Sequence, residues 1–153
     1  MDHADYKSPG GYSYEQLFSL MRTLRLSKAQ ALELYRRMVF NIVARNQDDH
    51  TKNFGFILNA QQRWELAPAF DIAFSYKPGS PWVSAHQLTL NGKRDEFTLQ
   101  DLLSPATSFL KEARQIIDEV VAIVAQWPRY AQEAGVSSPF ARHIQQCHRL
   151  TFE

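Results

Sequence analysis

Two carboxylates, an imidazole, an ammonium and three amides fall within eight residues, Asn46-Gln47-Asp48-Asp49-His50-Thr51-Lys52-Asn53. Largely apolar runs flank this stretch, Met38 to Ala44 before it and Phe54 to Leu58 after it. A polar cluster between apolar runs reads as a loop held by a rigid core, where binding and catalytic groups concentrate. A further acid, Asp71, follows in Leu66-Ala67-Pro68-Ala69-Phe70-Asp71. These residue types suit transfer of a phosphoryl group. An Asp can accept the proton of an attacking hydroxyl. An Asn carbonyl and an Asp carboxylate can ligate Mg2+, which offsets charge on phosphate oxygens. Two other readings stay open. Asp48, Asp49, His50 and Asp71 could hold one or two Mg2+, Mn2+ or Zn2+ ions in a hydrolase. Alternatively, the acids only cap turns and the body is a non-catalytic interaction domain.

The elements that must position this stretch are mostly helical. Ser13-Tyr14-Glu15-Gln16 has the form of a capping box, and Leu17, Phe18, Met21 and Leu24 continue it at helical spacing. Ser27 opens a second helix whose stripe of Leu32, Tyr35, Met38, Val39, Ile42 and Val43 delivers the chain to Asn46. Leu34 and Phe40 make that helix apolar over much of its circumference, which places it mid-domain. Phe54 to Leu58, a turn at Asn59 to Gln62, and Arg63 to Leu66 predict a small antiparallel hairpin that Pro68 ends. A second extended piece, His86 to Gly92, closes on an Asn-Gly turn. Thr98 to Asp101 caps a short helix that stops before Pro105, and a long one follows from Phe109 to Trp127. Pro128 kinks or restarts it, Gly135 suits a helix end, and Ser138-Pro139 opens a last helix to Arg149. Trp64, Phe70, Phe54 and Phe56 read as core, Cys147 as an inert thiol, and Met1 to Tyr12 as a flexible lead-in. The fold class is therefore mainly α with one or two small β-hairpins, in a single domain over residues 13–153.

The 153 residues suffice for one domain that buries close to ~70% of its unfolded surface. A net charge of +1 gives no reason to expect direct contact with nucleic acid or an anionic membrane. With one cysteine, an internal disulfide is impossible, which fits a cytoplasmic setting. The N-terminus has no apolar signal segment, and the longest strongly apolar run is far too short to span a bilayer.

Asp48 and Asn53 have the D-x-x-x-x-N spacing of the protein-kinase catalytic loop, and Asp71 keeps the order of its later metal-binding acid. The fuller pattern is more specific. Arg45 to Asn53, with Trp64-Glu65-Leu66-Ala67-Pro68-Ala69-Phe70-Asp71 downstream, resembles the C-terminal lobe of HipA-like serine/threonine kinases, the toxins of HipA/HipB toxin–antitoxin modules. The family forms are close to N-x-D-D-H-x-K-N and W-x-L-(S/A)-P-A-(Y/F)-D. Leu34 to Asn41 resembles the helix leading into the loop, and His86 to Gly92 a later H-x-L-x-(I/L)-N-G segment.

The resemblance implies that Asp48 is the catalytic acid and that Asn53 and Asp71 are Mg2+ ligands. It implies that His50 and Lys52 line the nucleotide side. Asp49 sits where the family tolerates Gly, so the resemblance gives it no catalytic role. ATP and Mg2+ are the implied cofactors of an intact two-lobe enzyme. Implied partners are a HipB-like DNA-binding antitoxin and a protein substrate such as an aminoacyl-tRNA synthetase. No glycine-rich phosphate loop can be made from Gly10, Gly11, Gly55, Gly79, Gly92 and Gly135. The expectation is thus a C-terminal lobe whose ATP-binding N-terminal lobe is absent here, inactive or weakly active without that lobe or a separate subunit.

Overall fold

Helix α2, Lys28–Val43, runs through the middle of the fold. Ser27 caps it by accepting a hydrogen bond from the Gln30 N–H. Leu34, Tyr35, Met38, Val39, Ile42 and Val43 are fully buried along it. A helix covered over so much of its circumference needs neighbours on several sides. Helix α1, Tyr14–Thr23, opened by the Ser13/Gln16 capping box, supplies Leu17, Phe18 and Met21. After the hairpin and a long irregular segment comes α3, Leu99–Leu103, opened by a Thr98/Asp101 capping box. Helix α4, Leu110–Val124, lays Ala113, Ile116, Ile117, Val120 and Val124 into the same core. Phe18, Tyr35 and Phe109 meet with ring centroids 5.4–6.5 Å apart. The Tyr35 hydroxyl, buried among them, donates to the Leu102 carbonyl at 2.9 Å. Helices α5, Trp127–Glu133, and α6, Ser138–Cys147, complete the chain.

The computed structural model describes residues 8–153. Of the expected lead-in, Met1 to Lys7 lie outside the described residues. Gly10 and Tyr12 are tied to the later segment, with Gly10 N–H donating to Gln87 O and Thr89 N–H donating to Tyr12 O. Strands β1, Phe56–Leu58, and β2, Trp64–Leu66, pair antiparallel with Ile57 opposite Glu65. The second extended piece forms no hairpin strand pair among the described residues; it bridges Ser13 in parallel through Thr89 and closes on a bridge between Leu90 and Lys93, with Asn91 and Gly92 at φ +50° and +75°. The fold is mostly helical with one small hairpin, as the pattern predicts. Among the described residues, no helix is long and apolar enough to cross a membrane.

Two expectations are corrected. Trp64 and Phe70 are not core but 42% and 46% exposed. A lone two-stranded hairpin has no second layer over its outer face, whereas Phe54 and Phe56 are partly buried against the core. Helix α6 stops at Cys147, before Arg149, because His148 turns extended. Arg149 then sends its N–H to the Val43 carbonyl at the end of α2.

Candidate active site

The loop begins where α2 is forced to stop. Ala44 caps the helix, Arg45 takes a left-handed conformation at φ +59°, and the Asn46 N–H returns to the Asn41 carbonyl at 2.9 Å. That return bond is the signature of a Schellman ending, which usually has glycine at the left-handed position. A non-glycine residue there costs about 1–2 kcal/mol. Contacts offset the cost: the Arg45 Nε donates to Cys147 O at 2.9 Å, and its guanidinium lies 4.3 Å over the Tyr76 ring. Asn46 pairs in parallel with Ser75, so Gln47 N–H donates to Ser75 O and Ser75 N–H to Arg45 O.

Beyond this point the chain is extended, and successive side chains point to opposite sides. Asp49 points inward and is fully buried. Its Oδ2 accepts from the Tyr14 hydroxyl at 2.6 Å and lies 2.8 Å from His86 Nδ1, and its Oδ1 accepts from the Gln87 N–H at 2.8 Å. His86 Nε2 lies 3.1 Å from an Arg149 guanidinium nitrogen. A guanidinium can only donate, so His86 Nε2 must accept and Nδ1 must carry the hydrogen given to Asp49. Arg149 is the cation of the cluster and pairs in turn with Asp95. On the other side Asn41 Nδ2 donates to the Tyr14 oxygen at 3.1 Å, and Asn46 Nδ2 to Asn41 Oδ1 at 2.9 Å. Burial alone would raise the Asp49 pKa. The bonds from His86, Tyr14 and Gln87 outweigh it and hold the carboxyl below the ordinary range. Burial, reinforced by the Asp49 charge, pushes the Tyr14 hydroxyl well above its usual value, so it stays a donor.

Asp48 faces the other way, with its side chain 45% exposed. Its backbone carbonyl accepts from Asn53 Nδ2 at 2.9 Å, and its carboxylate lies 3.9 Å from His50 Nε2. A 3-10 turn, Thr51–Asn53, brings Asn53 back over the loop through a bond from Asn53 N–H to His50 O. Because Asn53 donates through nitrogen, its side-chain oxygen is left as an acceptor. Lys52 is exposed on this turn.

Asp71 is exposed, at φ +54°. Asp is among the few residues that tolerate this region. The chain on both sides of it is tied to the loop. Phe70 and Ala67 pack so closely on Gly55 that an added Cβ there would lie 3.5 and 3.2 Å from them, and Ser75 is paired with Arg45 and Gln47.

Asp48, His50 and Asn53 therefore come together. Asp71 is held on a segment fastened to the same loop, and Asp49 is separated from all of them by facing the core. The roles of His86, Tyr14 and Arg149 lay beyond the sequence reading. One signal was present: where an extended chain lies against the core, adjacent side chains point to opposite sides, so one of two neighbouring acids turns inward and needs buried partners.

A family model described as the HipA-like C-terminal domain matches residues 1–127. The chain belongs to the HipA-like C-terminal domain family. It is also 29% identical over 138 residues to a protein of Sinorhizobium fredii named "Putative kinase Y4mE". That alignment takes in 90% of this chain but only 27% of the relative, so this HipA-like chain spans about a quarter of the length of the curated relative it matches. The helical architecture with one hairpin suits a HipA-like C-terminal lobe.

Proposed function

We propose that this chain is the catalytic-lobe portion of a HipA-like serine/threonine protein kinase, transferring the γ-phosphoryl group of ATP to a Ser or Thr hydroxyl of a protein. The observation that carries the reading is the division of the loop into two faces. Asp48 and Asn53 stand on the outer face, while Asp49 anchors the inner one. In this reading the Asp48 carboxylate accepts the proton of the incoming hydroxyl. The Asn53 side-chain oxygen and the Asp71 carboxylate would hold Mg2+. An all-oxygen donor set of one amide and one acid fits a metal that keeps waters and phosphate oxygens as its other ligands. When bound, the ion supplies charge neutralisation at the phosphate oxygens. His50 and Lys52 contact the nucleotide from the same face.

The phosphate-cradling groups would come from an N-terminal lobe, in the same protein or a separate subunit, and without it the chain is inactive or weakly active. We place the protein in the cytoplasm as the toxin of a toxin–antitoxin pair, with a HipB-like DNA-binding partner and a translation-related protein substrate such as an aminoacyl-tRNA synthetase. The hydrolase alternative is less favoured. Asp49 is fully buried, with both carboxylate oxygens engaged. Among the described residues, no group of three or more His, Cys, Asp or Glu side chains is arranged to hold a metal.

The test supplies the N-terminal lobe and measures phosphate transfer from ATP to protein. Asp48→Asn should slow transfer by about 10²–10⁴-fold, and Asp71→Asn should raise the Mg2+ concentration needed. Transfer at parental rates by Asp48→Asn would remove Asp48 from the mechanism.

A further inference from the structure

The outer wall of β2 faces a groove far from Asp48. The groove, of about 730 Å3, lies between the α1–α2 turn and the hairpin and is lined by Arg25, Gln30, Gln62, Arg63, Trp64 and Glu65, among others. Three features give it a chemical character. First, Arg25 and Arg63 are both exposed, and among the described residues neither makes an ion pair. The nearby carboxylate, Glu65, instead accepts from Asn59 Nδ2 at 2.7 Å. Second, Trp64 is 42% exposed between these charges. Third, the hairpin hydrogen bonds join Asn59 to Arg63 and Ala67 to Gly55 around the opposed pair Ile57 and Glu65. In an antiparallel ladder, that alternation turns the backbone N–H and C=O of Trp64 away from β1. The groove wall is therefore an open sheet edge with an aromatic platform and two unpaired cations.

We propose that this groove docks an extended acidic segment of a partner protein. The segment adds alongside β2 as a third strand, sets an apolar side chain on Trp64, and places carboxylates against Arg25 and Arg63. Strand addition at an open edge gives affinity through backbone hydrogen bonds, and the flanking charges select the sequence. Arg25 is held in place by its own backbone, at the left-handed position ending α1 (φ +57°), with the Leu26 N–H returning to Met21 O. The groove meets the N-terminus of α2 at Ser27 and Gln30, whereas Asp48 lies past its C-terminus. Sixteen helical residues separate them, roughly 24 Å at 1.5 Å per residue. A partner that also reached Asp48 along one extended chain would need about seven residues between the two points. Docking here goes beyond the phosphoryl-transfer reading and is measurable without ATP.

The test titrates the 153-residue chain into a fluorescein-labelled decapeptide carrying four glutamates around a central valine–leucine pair, read by anisotropy. Three comparisons accompany it: the lysine counterpart, the same peptide N-methylated at alternate positions, and the double variant Arg25→Glu/Arg63→Glu. Circular dichroism checks that the variant is folded. The acidic peptide should bind at least tenfold more tightly than the lysine peptide at 50 mM salt and lose affinity at 500 mM. N-methylation and charge reversal should each weaken it at least tenfold. Equal binding of the two peptides, or undiminished binding by the folded double variant, overturns the proposal. So does a parent chain that sediments as a dimer and that charge reversal makes monomeric, since a second copy would then be the occupant. Loss of peptide binding when the N-terminal lobe is joined to the chain also overturns it, because the groove would then be an internal contact.

Discussion

Asp48 and Asp49 are neighbours in sequence and sit in opposite environments. Asp49 is sealed in the core, accepting from Tyr14, His86 and the Gln87 backbone, with Arg149 one hydrogen bond further away. Asp48 projects to solvent, with the His50 imidazole nitrogen 3.9 Å from its carboxylate. The inner acid is fully committed to structure, and the outer acid is left with capacity for an incoming group. The proposed phosphoryl transfer needs both conditions, because a positioned carboxylate serves catalysis best when the backbone beneath it is held still. The comparison separates stability from chemistry at adjacent positions, and substitutions can break or sharpen it.

The largest effect should come from Asp49→Ala. It leaves the Tyr14 hydroxyl, His86 Nδ1–H and the Gln87 N–H without their acceptor. Each buried donor left unsatisfied costs about 1–3 kcal/mol, so the three together should cost about 3 kcal/mol or more. The unfolding free energy from urea melts should fall by that amount, lowering the midpoint with the slope unchanged. Tyr14→Phe removes a single donor from a charged acceptor and leaves Asn41 Nδ2 unpaired. About 1.5–3 kcal/mol should be lost by the same measurement. The acid limb of the stability curve should be less affected. The folded Asp49 pKa lies below its unfolded value of about 3.9, so its contribution is complete above that value and is lost as pH falls through the folded pKa. Below about pH 4 the parent should lose stability more steeply than Asp49→Asn. Asp101 is also held low, against its burial, by Lys93, the Thr98 N–H and Asn91, and it contributes the same sign in both proteins. A parallel acid limb in the two would mean that Asp49 is not held as described. Smallest of all, Asp48→Asn should change the unfolding free energy by less than about 0.5 kcal/mol, as for other surface positions.

Much of the scaffold was legible because its signals are local. The capping boxes at Ser13 and Thr98 and the stripe on α2 depend on residues within a few positions of one another, and all three stand where the pattern places them. The hairpin was legible too, but not which of its aromatics are covered. Exposure of Trp64 and Phe70 depends on whether another layer packs over them, and neighbouring residues carry no record of that. The outer face of the site was readable as a motif, since Asp48 and Asn53 meet through a short turn. The inner face was not. Asp49 meets partners 35, 37 and 38 residues away, and His86 meets Arg149 across 63. Those distances are closed by the packing of α1, by the extended segment around His86 and Gln87 that pairs with Tyr12 and Ser13, and by the extended chain after α6.

The central claim, that Asp48 carries the chemistry and Asp49 carries the loop, is tested most directly by single-turnover phosphate transfer. The chain is joined to a HipA-like N-terminal lobe, and Asp48→Asn is compared with the parent at equal folded fraction. Loss of general base catalysis predicts a fall of about 10²–10⁴-fold with an unchanged urea midpoint. Transfer at the parental rate, or a loss that tracks unfolding, would contradict it.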